Sequence, residues 1–562
     1  MIALASKAVS SGPDAVSMGI RAPAWADSRA CFPAPHGVKV AIGKSMKTEL
    51  ALICGESNEF VRMTVAAMRP LWLLLLMLAT LAQAQDYTYT TNDDGTITIT
   101  SYTGPGGDLT IPAAINGVTI TGIGGHVTAG SFNGAFESTS LSSVVIPNSV
   151  ANIGDAAFYN CTNLTSVTIP KSVTNIAGFA FGECSSLSSI TIPNGVSSLG
   201  DRAFAGCINL TNIALSTNLT TIGPWAFTDC SNLTSVAIGE GVTSIGDGAF
   251  AGCSGLVSVT LPDSLTGLGD SALAGCSGLT NIILGKGVES IGNDAFEGCT
   301  NLTTFAVPDT VTTIGDGAFE ICSGLNSVLL GQGVTNIGQG AFWNCVNLTN
   351  VTIPDSVITI GTGAFSFCTS LRSITIPGSV ARVDQGTFSW CLYLTNVTIG
   401  SGVISIRQDA FRDCIFLPSI TIPDTVTGID SGAFGDCASL RGMYFQGDAP
   451  GVGSSAFSND TGATVYHLPG SAGWGTNFAG LRTALWLPQA QVTNPTFGVP
   501  TNQFGFTISW ASDKVVIVEA TTDLAHPSWG PVATNNLAGG SSYFSDPQWT
   551  NYPARFYRLR SP

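Results

Sequence analysis

Apolar and polar positions alternate over short stretches of this chain, stop, and restart 23 residues later. One unit runs Leu164-Thr-Ser-Val-Thr-Ile-Pro-Lys-Ser-Val-Thr-Asn-Ile-Ala-Gly-Phe-Ala-Phe-Gly-Glu-Cys-Ser-Ser186. Its first six residues set Leu164, Val167 and Ile169 among Ser and Thr, the near-alternation of a half-buried strand. Pro170 has no N–H to donate and ends the pairing. Val173 and Ile176 turn inward again, and Phe181 with Cys184 close the unit through a short helical turn. A lone unit of this size cannot bury its apolar side chains, so the units must stack. The pattern predicts a mainly β repeat solenoid, with one short strand and one short helical turn per rung.

The register holds from Leu141 onward. Cysteine recurs at Cys161, Cys184, Cys207, Cys230, Cys253, Cys276, Cys299, Cys322, Cys345, Cys368, Cys391, Cys414 and Cys437. A Phe column keeps step from Phe158 to Phe434, broken once by Leu273, and a final unit reaches Phe457 with Asp460 where Cys would fall. Units starting at Leu233, Leu279, Leu325 and Leu394 replace Ile-Pro by an aliphatic residue and Gly (Ile238-Gly239, Leu284-Gly285), which changes the turn and not the fold.

The ends depart from the period, as a stacked array requires. Residues 85–140 are expected to form a β cap with a degenerate repeat: a hairpin over Tyr87–Tyr102, turning at Asn92-Asp-Asp-Gly95, precedes Leu109-Thr-Ile-Pro112. The solenoid is expected over 141–460, a closing cap over 461–487, a linker over 488–503, and a small all-β module over 504–562. Farther upstream, Arg62 and Arg69 flank an apolar run from Leu71, and Ala82-Gln83-Ala84 offers small residues at a cleavage spacing, the layout of a secretory signal peptide at 63–84. The run covers roughly 18 Å as a helix, short of the ~30 Å of a bilayer core. Translation is then expected to start at Met63 or Met68, with 1–62 a mis-assigned upstream segment and Gln85 the mature N-terminus.

The L-x-x-V-T-I-P … S-V-T-x-I-G-x-x-A-F-x-x-C pattern resembles the BspA-type leucine-rich repeats of bacterial surface antigens. The likeness covers Leu141 to about Phe457. It implies a leucine-rich repeat fold and an exported, secreted or cell-surface protein that binds a protein or surface ligand. It names no ligand.

Composition narrows the partners. A net charge of −16 with 10% charged residues disfavours nucleic acid, whose phosphates need clustered Lys and Arg. The resemblance implies a protein or cell-surface partner, with a glycan as a further class, and no membrane-spanning segment is expected. The thirteen cysteines are in uniform step and odd in number. Parallel inward side chains have the wrong mutual direction for disulfides, so the column is read as buried free thiols packing as small hydrophobes. Zinc would need close pairs such as C-x2-C, which are absent.

Catalytic templates fail in turn. His126, His467 and His526 lie far apart, and neither H-E-x-x-H nor G-x-S-x-G occurs. Gly37–Ser45 misses a phosphate loop by one residue of spacing. A polysaccharide-cleaving β-solenoid would need paired carboxylates on the strand face. The outward second, third and fifth positions carry Ser, Thr, Asn, some aliphatics, Pro418 and Arg372, and no Asp or Glu. The acids fall at turns: Asp263, Asp309, Asp355 and Asp424, or, after Ile-Gly, Asp201, Asp247 and Asp316. No enzyme, cofactor or metal is therefore expected, although a polysaccharide-acting solenoid and a calcium-lined turn edge stay as alternatives. An ice-binding array of Thr is a third, weakened because Ala, Val, Ile and Leu interrupt the fifth-position column.

Candidate binding residues come from breaks in the small, polar composition around the Cys column. Trp343, Phe367 and Trp390, with Tyr393 and Phe416 two residues beyond Cys391 and Cys414, concentrate in neighbouring units. Residues one period apart lie on adjacent rungs, so these five aromatics are expected to form one patch on the turn side. Packing against the protein's own loops or C-terminal module is the competing reading.

Overall fold

The computed structural model describes residues 86–128, 131–499 and 503–562. The expected upstream segment and signal peptide lie outside the described residues.

Each regular rung contributes two strands. The first covers three or four residues, as at Ser166–Thr168, and pairs in parallel with its counterpart one period away: Ser189↔Asn212, Ile190↔Ile213, Thr191↔Ala214. The second covers two, as at Asn175–Ile176, and builds a separate ladder, parallel from rung to rung, whose longest sheet has 14 strands with those of the N-terminal cap included. Sequence reasoning saw only inward-turning residues at this second strand. Between Ile176 and the next rung the chain runs through successive turns, not the expected helical turn. The reason is the backbone: two residues per rung are left-handed, as Phe179 (φ 54°) and Glu183 (φ 59°) illustrate, and positive φ interrupts a right-handed helix.

The interior is a set of side-chain columns. Phe rings stack rung on rung, as in Phe158–Phe181 at 5.2 Å and Phe342–Phe365 at 5.2 Å between centroids. Tyr102 and Tyr87 of the N-terminal hairpin continue this stack beyond Phe136, covering its first ring. At the other end Phe457 meets Phe478 at 6.2 Å. All thirteen cysteines of the repeat column are free and buried. Each thiol donates to the carbonyl of the preceding rung's Phe column, as Cys184 Sγ does to Phe158 O at 3.2 Å. Burial pushes the Cys207 and Cys322 thiols up to about 12, which leaves them protonated and unreactive.

Polar side chains join rungs as well. Second-position Thr hydroxyls donate to the carbonyl one rung back, as Thr211 does to Ser188 O (3.1 Å) and Thr395 to Arg372 O (3.1 Å). Turn carboxylates accept from the next rung's amide: Asp263 from Lys286 N–H (2.8 Å), Asp309 from Gln332 N–H (2.7 Å), Asp316 from Gln339 N–H (2.7 Å). At the Gly-turn variants the backbones approach so closely that a Cβ on Gly285 would fall 2.0 Å from Pro262 O.

Parallel pairing continues past residue 460: Gly442–Phe445 pairs with Thr464–His467, and that strand with Leu481–Leu485. A short antiparallel return, Asn477–Phe478, lies against the last of these. Gln489–Gln491, expected as linker, is a strand paired antiparallel with Phe504–Ser509. It belongs to the C-terminal module, two three-stranded antiparallel sheets around Phe506, Ile508, Val516, Val518, Leu537 and Phe544.

Candidate functional site

The two left-handed positions of each rung decide what the turn side displays. One lies two residues before the Phe column and the other just before Cys. Gly, Asp, Asn and Ser fill most of them, as their tolerance of positive φ dictates. Ala156, Glu183 and Ile321 are isolated exceptions, and the bulky aromatic and cationic ones fall on neighbouring rungs. Phe179, Arg202 and Trp225 occupy the first position on three successive rungs, and Phe367 and Trp390 occupy the second on two. A bulky residue in this region costs about 1–2 kcal/mol.

The five aromatics singled out by sequence separate into two ladders. Trp343 meets Phe367 edge-on at 5.7 Å, and Phe367 stacks on Trp390 at 5.5 Å with planes 6° apart. Tyr393 stacks on Phe416 at 5.1 Å. Among the described residues no ring contact joins the two sets. Trp343 and Phe367 are half-buried, whereas Trp390 is 41%, Tyr393 52% and Phe416 45% exposed. Backbone bonds hold the first ladder in place: Phe367 N–H donates to Ser389 O (2.9 Å) and Trp390 N–H to Arg412 O (2.8 Å). Beyond Trp390 its column continues with Asp413, whose carboxylate is 3.4 Å from Arg412 Nε.

Sequence reasoning missed the other cluster. Phe132 stacks on Tyr159 at 4.0 Å and meets Phe179 edge-on at 4.9 Å. The Arg202 guanidinium sits over the Phe179 ring at 5.5 Å and over the Trp225 ring at 5.6 Å. Phe179, Arg202 and Trp225 are 23 residues apart, the same signal that identified Phe367 and Trp390. This ladder is closed on itself. The Trp225 indole lies over Gly248, where a Cβ would fall 2.2 Å from the ring, and Arg202 covers its other side while pairing with Asp201 at 3.0 Å.

Two further places could hold chemistry. An open cavity of about 670 Å³ in the C-terminal module is lined by Phe497, Phe504, Phe506, Tyr557 and Leu559, with Arg555 at its wall. Arg555 is ion-paired with Asp546 at 2.9 Å, and Arg558 and Arg560 bind Glu519 at 2.7 and 3.0 Å. Among the described residues no three His, Cys, Asp or Glu side chains gather to hold a metal ion. No helix among them is long and apolar enough to cross a membrane.

The repeat region matches the sequence model of the BspA type leucine rich repeat region over residues 132–257, 220–348 and 335–464. The chain belongs to this family. One protein of known structure shares the fold. A leucine-rich repeat protein from Bacteroides ovatus is 28% identical, with a TM-score of 0.57, over 71% of this chain and 98% of that one. A leucine rich cell surface protein from Faecalibacterium prausnitzii is 27% identical over 69% of this chain and 94% of that one, with a TM-score of 0.36. No curated protein matches the chain.

Proposed function

We propose that this protein is an exported, non-catalytic leucine-rich repeat scaffold that binds a protein or cell-surface ligand. The contact surface is the turn side at Trp343, Phe367, Trp390, Tyr393 and Phe416. One observation carries the reading. Phe367 and Trp390 occupy left-handed positions on adjacent rungs, where the array elsewhere uses mostly Gly, Asp and Asn. Local strain of this kind persists where something else is gained by it, and the Trp390, Tyr393 and Phe416 rings remain open to solvent. Exposed aromatics in a group favour partner contact, because a few such rings carry most of an interface's energy. The signal-peptide layout of the sequence at 63–84 supports export.

The test is a double substitution, Phe367→Ala with Trp390→Ala, in the full chain. Wild type and variant are compared on an array of extracellular proteins and glycans, alongside thermal melts. Loss of array binding by about 2 kcal/mol or more with a nearly unchanged Tm supports the reading. A large fall in Tm with unchanged binding refutes it and assigns the ladder to the fold.

A further inference from the structure

The rungs just before the aromatic ladder carry carboxylates on the same side. One column, directly after the Phe column, reads Glu297, Glu320, Trp343 on successive rungs. Asp294 and Glu320 converge over one glycine: a Cβ on Gly317 would sit 2.1 Å from Asp294 Oδ1 and 3.3 Å from Glu320 Oε2. The Ile321 N–H donates to Trp343 O at 2.9 Å, tying the Glu320 rung to the first ring of the ladder.

These acids crowd each other. Burial, then Asp270 and Asp316, push the Asp294 carboxyl above its usual range; burial, then Glu297 and Asp294, do the same to Glu320. Among the described residues, Asp270, Asp294, Glu297, Asp316 and Glu320 have no Arg, Lys or His within ion-pair distance. The acids beyond Trp390 differ, since Asp409, Asp413 and Asp436 share Arg412 at 3.5, 3.4 and 2.8 Å.

We propose that the face from Asp294 through Trp343 to Trp390 receives a basic segment of a partner protein, with Lys or Arg side chains between the carboxylates and against the aromatic rings. The proposal rests on the reading of these aromatics as the contact surface. Charge complementarity selects the occupant. A cation relieves like-charge crowding that no cationic side chain among the described residues offsets, and it is also the group that indole attracts most strongly. A neutral glycan fits less well, because it brings no cation to the crowded carboxylates. A second copy would bring its own net charge of −16.

The probe is a capped peptide of six lysines alternating with glycine, titrated against the full chain by calorimetry at low salt. The triple variant Asp294→Asn, Glu297→Gln, Glu320→Gln removes the crowded charges. Its control, Glu240→Gln, Asp355→Asn, Asp424→Asn, removes equal charge at exposed turns away from the ladder. The expected result is at least a tenfold loss of affinity in the triple variant and less than twofold in the control, with Trp343→Ala weakening binding at unchanged net charge. The triple variant relieves repulsion, so its Tm should not fall. Equal losses in both triple variants would reduce the effect to net charge and overturn the proposal, as would no loss in either. If Phe367→Ala with Trp390→Ala abolishes array binding while the carboxamide variants leave the peptide unaffected, the basic-partner inference fails and the aromatic contact surface stands.

Discussion

Asp460 stands where every regular rung has its cysteine, and it makes the end of the array sensitive to pH. Its residue is buried at 2% exposure, and neither carboxylate oxygen has a hydrogen-bond partner. The equivalent thiol one rung earlier, Cys437, donates to Phe411 O at 3.2 Å; a carboxylate cannot donate, but a carboxylic acid can. Burial pushes Asp460 up to about 7, with the nearby Asp436 charge adding to it and the Cys437 amide opposing it. The unfolded chain loses this proton near pH 4. Between about pH 4 and 7 the folded state therefore holds a proton that the unfolded state has released, and stability must fall as pH rises through that window. The contribution is complete below pH 4 and gone above pH 7. Three pH units correspond to a ceiling of about 4 kcal/mol, and screening by solvent at the end of the array brings the expected cost to about 2 kcal/mol. Asp460→Cys, which restores a neutral donor, should raise stability at pH 7.5 by about that amount and leave pH 4 nearly unchanged. Urea unfolding at intervals from pH 4 to 8 measures it, with hydrogen exchange across residues 440–487 locating the effect. Equal stability changes at both pH values, or a wild-type slope of opposite sign across this window, would refute the argument.

Deleting one whole unit, Leu256 to Gly278, should leave a folded protein, because neighbouring rungs present equivalent pairing edges; deleting eleven residues of it should destroy the register and cause aggregation. Circular dichroism and size-exclusion chromatography separate the two outcomes, and equal tolerance would contradict the stacked architecture. The thirteen repeat thiols should all alkylate in unreduced, denatured protein and hardly at all in native protein, as read by intact mass. Phe204→Ala, which removes one ring from the buried stack, should destabilise the array by about 3–5 kcal/mol, whereas Phe416→Ala, at an exposed ring, should change stability by less than about 1 kcal/mol.

The period, the rung, the inward columns and the family were legible in the chain itself. A solenoid's register is a local property repeated: each rung meets only its neighbours, so a spacing of 23 in sequence is adjacency in space. Phe158 on Phe181, and Phe367 on Trp390, could be paired before any coordinates were known. The same rule applied to Phe179, Arg202 and Trp225 would have found their ladder, but a column mixing aromatic and cationic residues does not look like one until the guanidinium is seen between the rings.

Other features belonged to the tertiary structure. The second strand is two residues long, too short for any periodicity to register, and exists only because Asn175–Ile176 finds Asn152–Ile153 on the preceding rung and Leu199 on the next. The left-handed residues are chosen by the turn and not by the side chain, so Phe179 and Trp390 gave no local sign of positive φ. The division of the five aromatics into two ladders follows from side-chain direction, which spacing alone leaves free. The crowding of Asp294 and Glu320 over Gly317 likewise needed the rungs brought together. What repeats along the chain was determined by sequence; where side chains lean between one rung and the next was decided by packing, because only there do residues outside the periodic core meet.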